Sequence, residues 1–357
     1  MCPVMPSSSR LLLLLVLSSA AVVNAQSCPP RPVIVDVLDA HGSPITNLTS
    51  ANFIASHKDQ PLSILSANFR TDPRVRTVVL LGDGAPARIA KSEALEFITT
   101  APPQALISMF TFSTTVEQKF NSSGGRKPME DWLNTNQTPS PSHKGASDLT
   151  QTLLTIVKAM EPARVGDAIY VITGNLDQLF AATGSKEVPA LTPTLASELQ
   201  SSGVRLFALV LEVARPGAWN DVFVVVPLDG VPRAGWSAVL PDDNVITIPH
   251  TPMGPAKLAD IIRGSGGLAL NWYPSEKSRS FRSSFDYDPT TQAAIRESSR
   301  AFQGAINNFY VLTVAPPEQS SAPEDWKLEV VDSRGKKLKD VTLAYPGKLL
   351  GCIAVAP

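Results

Sequence analysis

The stretch "VVLLGDGAPARIAKSEALEFI", Val78 to Ile98, decides the fold. Val78 to Leu81 is apolar without alternation, as in a strand covered on both faces. Asp83 follows at the strand's tip, and Ala90, Ala94, Phe97 and Ile98 then recur on one helical face. A buried strand, an acid at its end and a returning helix make the opening unit of an α/β sheet. Such sheets bind their ligands outside the carboxyl ends of the strands, so Asp83 is the first candidate site residue.

Downstream, the same alternation continues. "ALISMFTF" reads as the next strand and Val116 to Phe120, of mixed pattern, as an edge strand. A polar loop, "NTNQTPSPSHKG", precedes a helix with Leu149, Leu153, Ile156, Val157 and Met160 on one side. "AIYVIT" and "VRLFALVL" are two more buried strands. Between them, "TPTLASELQSSG" predicts a helix capped by Thr192, with Pro193 in first position and Gly203 past its end. Glu212 to Met253, containing "DVFVVVPLDG" and "NVITI", reads as an insertion. Pro255 to Ser265 and "GGLALNW" close the unit as helix and strand. Ile295, Phe302, Ile306 and Phe309 predict a long packed helix leading into "YVLTVA".

The two ends of the chain share an outline. "VLDAHGSPITNLT" lies over "VVDSRGKKLKDVT", with Asp39 on Asp332, Gly42 on Gly335 and Thr49 on Thr342. Both read as hairpins in which Asp bonds local backbone and Gly supplies a positive φ. Neither segment is long enough for a sandwich alone, so the expectation is one β domain with the α/β unit inserted between its halves.

The N-terminus reads as an export signal. Arg10 precedes the apolar run from Leu11 to Val23, and "VNA" ending at Ala25 suits a signal peptidase. The run is shorter than the roughly 20 residues of a bilayer span. After cleavage Cys28 and Cys352 remain, in a compartment that permits disulfides; spacing leaves open whether they are bridged or free. Lys and Arg total 31 against 32 Asp and Glu, a formal charge of −1, which argues against nucleic-acid or anionic-membrane partners. The expected organisation is 1–25 signal peptide, 26–70 N-terminal β segment and 71–285 α/β domain with its insertion at about 212–253. A connecting helix and strand, 286–315, and a C-terminal β segment, 316–357, pairing with 26–70, complete it.

The order of the strand ending at Asp83, "FTFSTTV", "GASDLTQTL", "AIYVITGNLD" and "LADIIRGSGGLAL" resembles a von Willebrand factor type A (VWA) domain. A leading "VLDAHGSPITNLTSANF" and a trailing "NNFYVLTVAPP" are similar to the secreted VWFA-related family found mainly in acidobacteria. The resemblance implies a Rossmann-like, doubly wound, mostly parallel sheet with a small β-sandwich-like domain built from the terminal segments. It also implies a metal-ion-dependent adhesion site, in which an Asp-x-Ser-x-Ser loop, a second-loop Thr and a third-loop Asp hold Mg²⁺. Asp83 matches the first Asp, but Ala85 and Ala87 occupy the two Ser positions. Ser147 stands at the Thr position, and Gly174 where the third-loop Asp belongs, with Asp177 three residues on. Mg²⁺ demands hard oxygens in near-ideal octahedral geometry, so this set reads as a degenerate, metal-free site.

No enzyme is expected. His41, His57, His143 and His250 are scattered and read as surface-loop residues. "SRGK" at Ser333 falls in a hairpin turn, and the glycines of "GSGG" at Gly264 read as a helix C-cap rather than a phosphate loop. Two functions remain open: an exported module binding a protein partner through its sheet rim, or a divalent-cation-dependent adhesion protein using Asp83, Ser147, Asp148 and Asp177.

Overall fold

The run Val78 to Leu81 lies at the centre of a six-stranded sheet. The computed structural model describes residues 29–39, 42–82, 87–112, 116–135, 149–174, 188–211, 261–272, 289–315 and 323–349. In chain order these hold β1 (Arg31–Leu38), β2 (Phe53–His57), β3 (Gln60–Leu62), β4 (Ile64–Thr71), β5 (Arg76–Gly82) and α1 (Ala87–Thr100). Next come β6 (Leu106–Phe112), β7 (Val116–Phe120), α2 (Lys127–Thr135), α3 (Leu149–Ala159), β8 (Ala168–Gly174), α4 (Val188–Ser202) and β9 (Arg205–Leu211). β10 (Ala269–Trp272), α5 (Pro289–Asn307), β11 (Asn308–Val314), β12 (Glu324–Asp325), β13 (Lys327–Val330), β14 (Thr342–Ala344) and β15 (Lys348–Leu349) complete the series.

The central sheet runs β10-β9-β8-β5-β6-β7. All neighbours are parallel except β7, which is antiparallel to β6 at the edge. This is a Rossmann-like, doubly wound α/β fold. Helices cover both faces. Ile89, Ala90, Ala94, Phe97 and Ile98 of α1 pack with Phe302 and Ile306 of α5 on one side. Leu149, Leu153, Ile156 and Val157 of α3 pack with Leu195 and Leu199 of α4 on the other. Among the described residues no helix is long and apolar enough to cross a membrane.

The two ends of the chain interleave in a β-sandwich. One sheet is β14-β1-β11-β4 and the other β13-β2-β3. Val33, Val35, Tyr310, Leu312, Phe53, Trp326 and Leu328 share the core between them. The two turns share hydrogen bonds. Asp39 N–H donates to Ser43 O at 2.9 Å, and Asp332 N–H to Lys336 O at 2.8 Å. Asp39 Oδ1 accepts from Ser43 N–H at 2.8 Å, and Asp332 Oδ1 from Lys336 N–H at 2.9 Å. Gly42 and Gly335 sit at φ 76° and 75°, where a side chain is strained. Beyond the turns the chains cross. β2, following the first turn, pairs with β13, and β14, following the second, pairs with β1.

Three local expectations change. α4 begins at Val188, not at Thr192, so Pro193 lies within the helix. Pro189 is in its first turn, where a missing N–H costs nothing. Gly203 does follow the end, at φ 70°. α2, which buries Met129 and Leu133, is an element the pattern reading did not foresee. Phe309, read as helical, lies in β11, because α5 stops at Asn307 and passes into the strand without a loop. The last helical carbonyls are met by side chains instead. Asn307 Nδ2 donates to Gln303 O at 2.9 Å and Asn308 Nδ2 to Gly304 O at 3.0 Å. Arg205 donates to Ala305 O at 3.1 Å and Ile306 O at 2.8 Å.

The signal peptide 1–25, Cys28, Cys352 and the insertion 212–253 lie outside the described residues.

Candidate functional site

The strand order reverses between β5 and β8, and their carboxyl ends form the switch point where doubly wound sheets bind ligands. β5 ends in Gly82, directly before Asp83. β8, with Ile172 opposite Leu81, ends in Gly174, three residues before Asp177. α3 starts at Leu149, just after Ser147 and Asp148, and leads back to the opposite edge where β8 begins. The topology therefore brings the flanks of all three expected loops to one rim.

Of the candidate residues themselves, Asp83, Ala85, Ser147, Asp148 and Asp177 lie outside the described residues. Ala87 is the first residue of α1, and Gly174 the last of β8.

The rim is tight at its described base. A Cβ on Gly82 would lie 2.6 Å from Thr173 Oγ1 and 2.7 Å from the Phe112 ring, so the tip of β5 accepts only glycine unless its neighbours shift. Thr173 is fully buried, and its hydroxyl has no hydrogen-bond partner among the described residues. Nothing in the residue type marks it as a site residue. Its one signal was its place beside Gly174, since a strand's last inward hydroxyl sits where a ligand or a loop must meet it.

The described base of the rim supplies few oxygen ligands. β8 ends without a carboxylate, α1 begins without a hydroxyl, and among the described residues no three of His, Cys, Asp and Glu converge on a metal-sized space.

Charge gathers instead at the opposite edge of the sheet. Arg205 opens β9 and is 1% exposed. Its Nη1 bonds both Asp36 oxygens, at 3.0 and 3.2 Å, and its Nη2 reaches Gly166 O at 3.2 Å. Phe207 and Phe309 rings lie 5.2 and 4.7 Å from the guanidinium carbon. Burial raises the Asp36 carboxyl while Arg205 pulls it back. Close by, Arg76 pairs with Asp167 and donates to Met160 O at 2.9 Å and Pro162 O at 2.8 Å. These pairs bond main chain and each other, and serve as structure.

His57 is a correction to the surface-loop reading. It ends β2 and is buried, with Nδ1 2.9 Å from Asp325 O and Nε2 against Glu324. His41, His143 and His250 lie outside the described residues. "SRGK" does form a turn, with Gly335 N–H donating to Asp332 O at 3.0 Å. "GSGG" does close a helix. Gly266 N–H donates to Arg263 O at 3.0 Å and Gly267 N–H to Ile262 O at 3.1 Å, the two bonds of a Schellman cap.

No family model and no curated protein matches the chain. Several solved structures are similar to it at low identity. An aerotolerance-related membrane protein from Bacteroides fragilis is 16% identical, with TM-score 0.37, covering 65% of this chain and 98% of that one. BatB from Bacteroides thetaiotaomicron is 14% identical, with TM-score 0.35, covering 64% and 98%. A von Willebrand factor type A protein from Catenulispora acidiphila is 10% identical, with TM-score 0.38, covering 90% and 73%.

Proposed function

We propose that the protein is an exported, VWFA-related binding module that recognises a protein partner through the carboxyl rim of its sheet, without a metal ion and without catalysis. The observation that carries this reading is that both strands at the switch point, β5 and β8, end in glycine. Ala85 and Ala87 extend the same lack of oxygen donors into the first loop. One carboxylate and one hydroxyl, from Asp83 and Ser147, replace too little of an ion's hydration shell to hold Mg²⁺ specifically. Recognition at this rim then rests on shape and ordinary polar contacts.

Two measurements test the reading. A ligand that binds only the folded chain must raise its melting temperature. Melts in millimolar Mg²⁺ or Mn²⁺ are expected to coincide with melts in chelator; an upward shift supports the cation-dependent site around Asp83, Ser147 and Asp177 instead. In pull-downs from the native envelope, Asp83→Ala is expected to retain the partners of the unaltered protein. Loss of a partner on that substitution counts against metal-free recognition.

A further inference from the structure

A second buried acid lies away from the rim. Glu93 of α1 is fully buried between α1, β8 and α5. Three hydroxyls surround it: Tyr170 Oη donates to Oε1 at 2.8 Å, Ser299 Oγ to Oε1 at 2.8 Å, and Ser298 Oγ lies 2.6 Å from Oε2. Two aromatic rings, Phe97 and Phe302, flank Tyr170 at 4.7 and 4.5 Å between centroids.

The hydrogen bonds of the cluster accommodate a neutral acid. Ser298 Oγ also lies 3.0 Å from Ile295 O, which can only accept. A hydroxyl has one proton. If Ser298 gives it to Ile295 O, the proton between Ser298 and Oε2 must come from Glu93. The carboxyl is then a neutral acid that donates through Oε2 and accepts twice through Oε1. Burial, the largest influence, works against ionisation, and the three hydroxyl bonds work for it. Glu96, on the same helix, repels a negative charge, and Tyr170 of β8 is neutral. From α5 it is faced by Ser298 and Ser299, whereas Arg296 and Arg300 are exposed. Lys91 of α1 lies over the Trp132 ring of α2.

We propose that Glu93 is a proton-operated latch between α1 and α5: as the neutral acid it holds the two helices together, and its ionisation loosens α5. α1 starts at the rim and α5 runs unbroken into β11, the second strand of the larger sandwich sheet, so the latch sits on the connection between the two halves of the molecule. The inference stands whether or not the rim binds a partner.

Burial pushes the Glu93 carboxyl from the usual 4.5 to about 7. The sign follows. The unfolded chain gives up this proton first, so the stability contributed by Glu93 is whole below pH 4.5. It falls as pH rises towards 7 and is flat above that.

The test compares thermal melts of the full protein and Glu93→Gln from pH 5 to pH 9. The amide mimics the neutral acid: its NH₂ can donate to Ser298 and its oxygen can accept from Tyr170 and Ser299. The variant is expected to melt close to the unaltered protein at pH 5 and about 5 °C or more above it at pH 8. Asp36, also buried, is present in both proteins and cancels in the comparison. Melting curves separated by the same interval at every pH overturn the latch and leave Glu93 a structural residue only. Should Glu93→Gln fail to fold, the carboxyl carbon of Glu93 is followed by NMR in the unaltered protein. A shift that moves in the neutral range supports the latch, and a carboxyl already ionised at pH 5 overturns it.

Discussion

Replacing Asp36 by alanine is expected to destabilise the protein by about 3–5 kcal/mol, the usual result of leaving one partner of a buried ion pair alone. Asp36 lies on β1 of the sandwich and Arg205 at the start of β9 in the central sheet, and neither is more than 1% exposed. Without the carboxylate, the guanidinium keeps the carbonyls of Gly166, Ala305 and Ile306, two aromatic rings and the more distant charge of Asp167, which is already paired with Arg76. Those dipoles do not neutralise a whole charge. Arg205→Ala is expected to cost at least as much, because it also strips two carbonyls at the end of α5 of their donors. Substituting both residues by apolar side chains of similar volume is expected to cost less than the two single losses added together. Equilibrium urea unfolding followed by tryptophan fluorescence measures all three. A loss below about 1 kcal/mol for Asp36→Ala, the scale of an exposed pair, would mean that water reaches this junction.

Gly267→Ala is expected to cost about 3 kcal/mol or more, at the upper end of overpacking substitutions. A Cβ at this position would fall 1.8 Å from Leu206 O and 2.6 Å from Leu206 C. Both atoms belong to β9, whose backbone is tied to β8 and β10, so neither can retreat without breaking a ladder. At the neighbouring Gly264 a Cβ would meet nothing within 4 Å, and Gly264→Ala is expected to be nearly silent in the same unfolding assay. A phosphate-binding reading of "GSGG" expects a different outcome, since there the glycines matter for anion affinity rather than stability. Equal effects at Gly264 and Gly267 would contradict the close-approach argument.

Much of the α/β unit was legible in advance, because burial repeats at the period of the backbone that carries it. The one-sided helices α1 and α3 follow from apolar spacing near 3.6 residues, and β5 and β8 from runs with no polar break. Turn chemistry was equally local. Asp39 and Asp332 each bond the backbone four residues on, and Gly42 and Gly335 supply the positive φ. The candidate site was legible only as identities along the chain: Asp83 kept, Ala85, Ala87 and Gly174 without donors.

Boundaries failed where a distant residue settled them. Helical spacing continues through Phe309, yet α5 stops at Asn307 because Arg205, about a hundred residues earlier in the chain, takes its last carbonyls and β11 finds β4 and β1 as partners. His57 reads as a loop histidine until Glu324, from the far end of the chain, closes over it. Glu93 carries no signal of its own, since an acid on a helix is usually solvated, and Thr173 is marked only by its place beside Gly174.

The amino-acid sequence by itself determined the secondary structure type, the helix faces and the two matching turns, all of which depend on residues within a few positions of one another. Tertiary structure alone decided that the hairpins cross to pair with each other, that Asp36 meets Arg205 and that Glu93 is sealed among three hydroxyls. The physical reason is range: torsional preference and periodicity act along the chain, whereas desolvation and hydrogen-bond satisfaction depend on whichever atoms folding brings alongside.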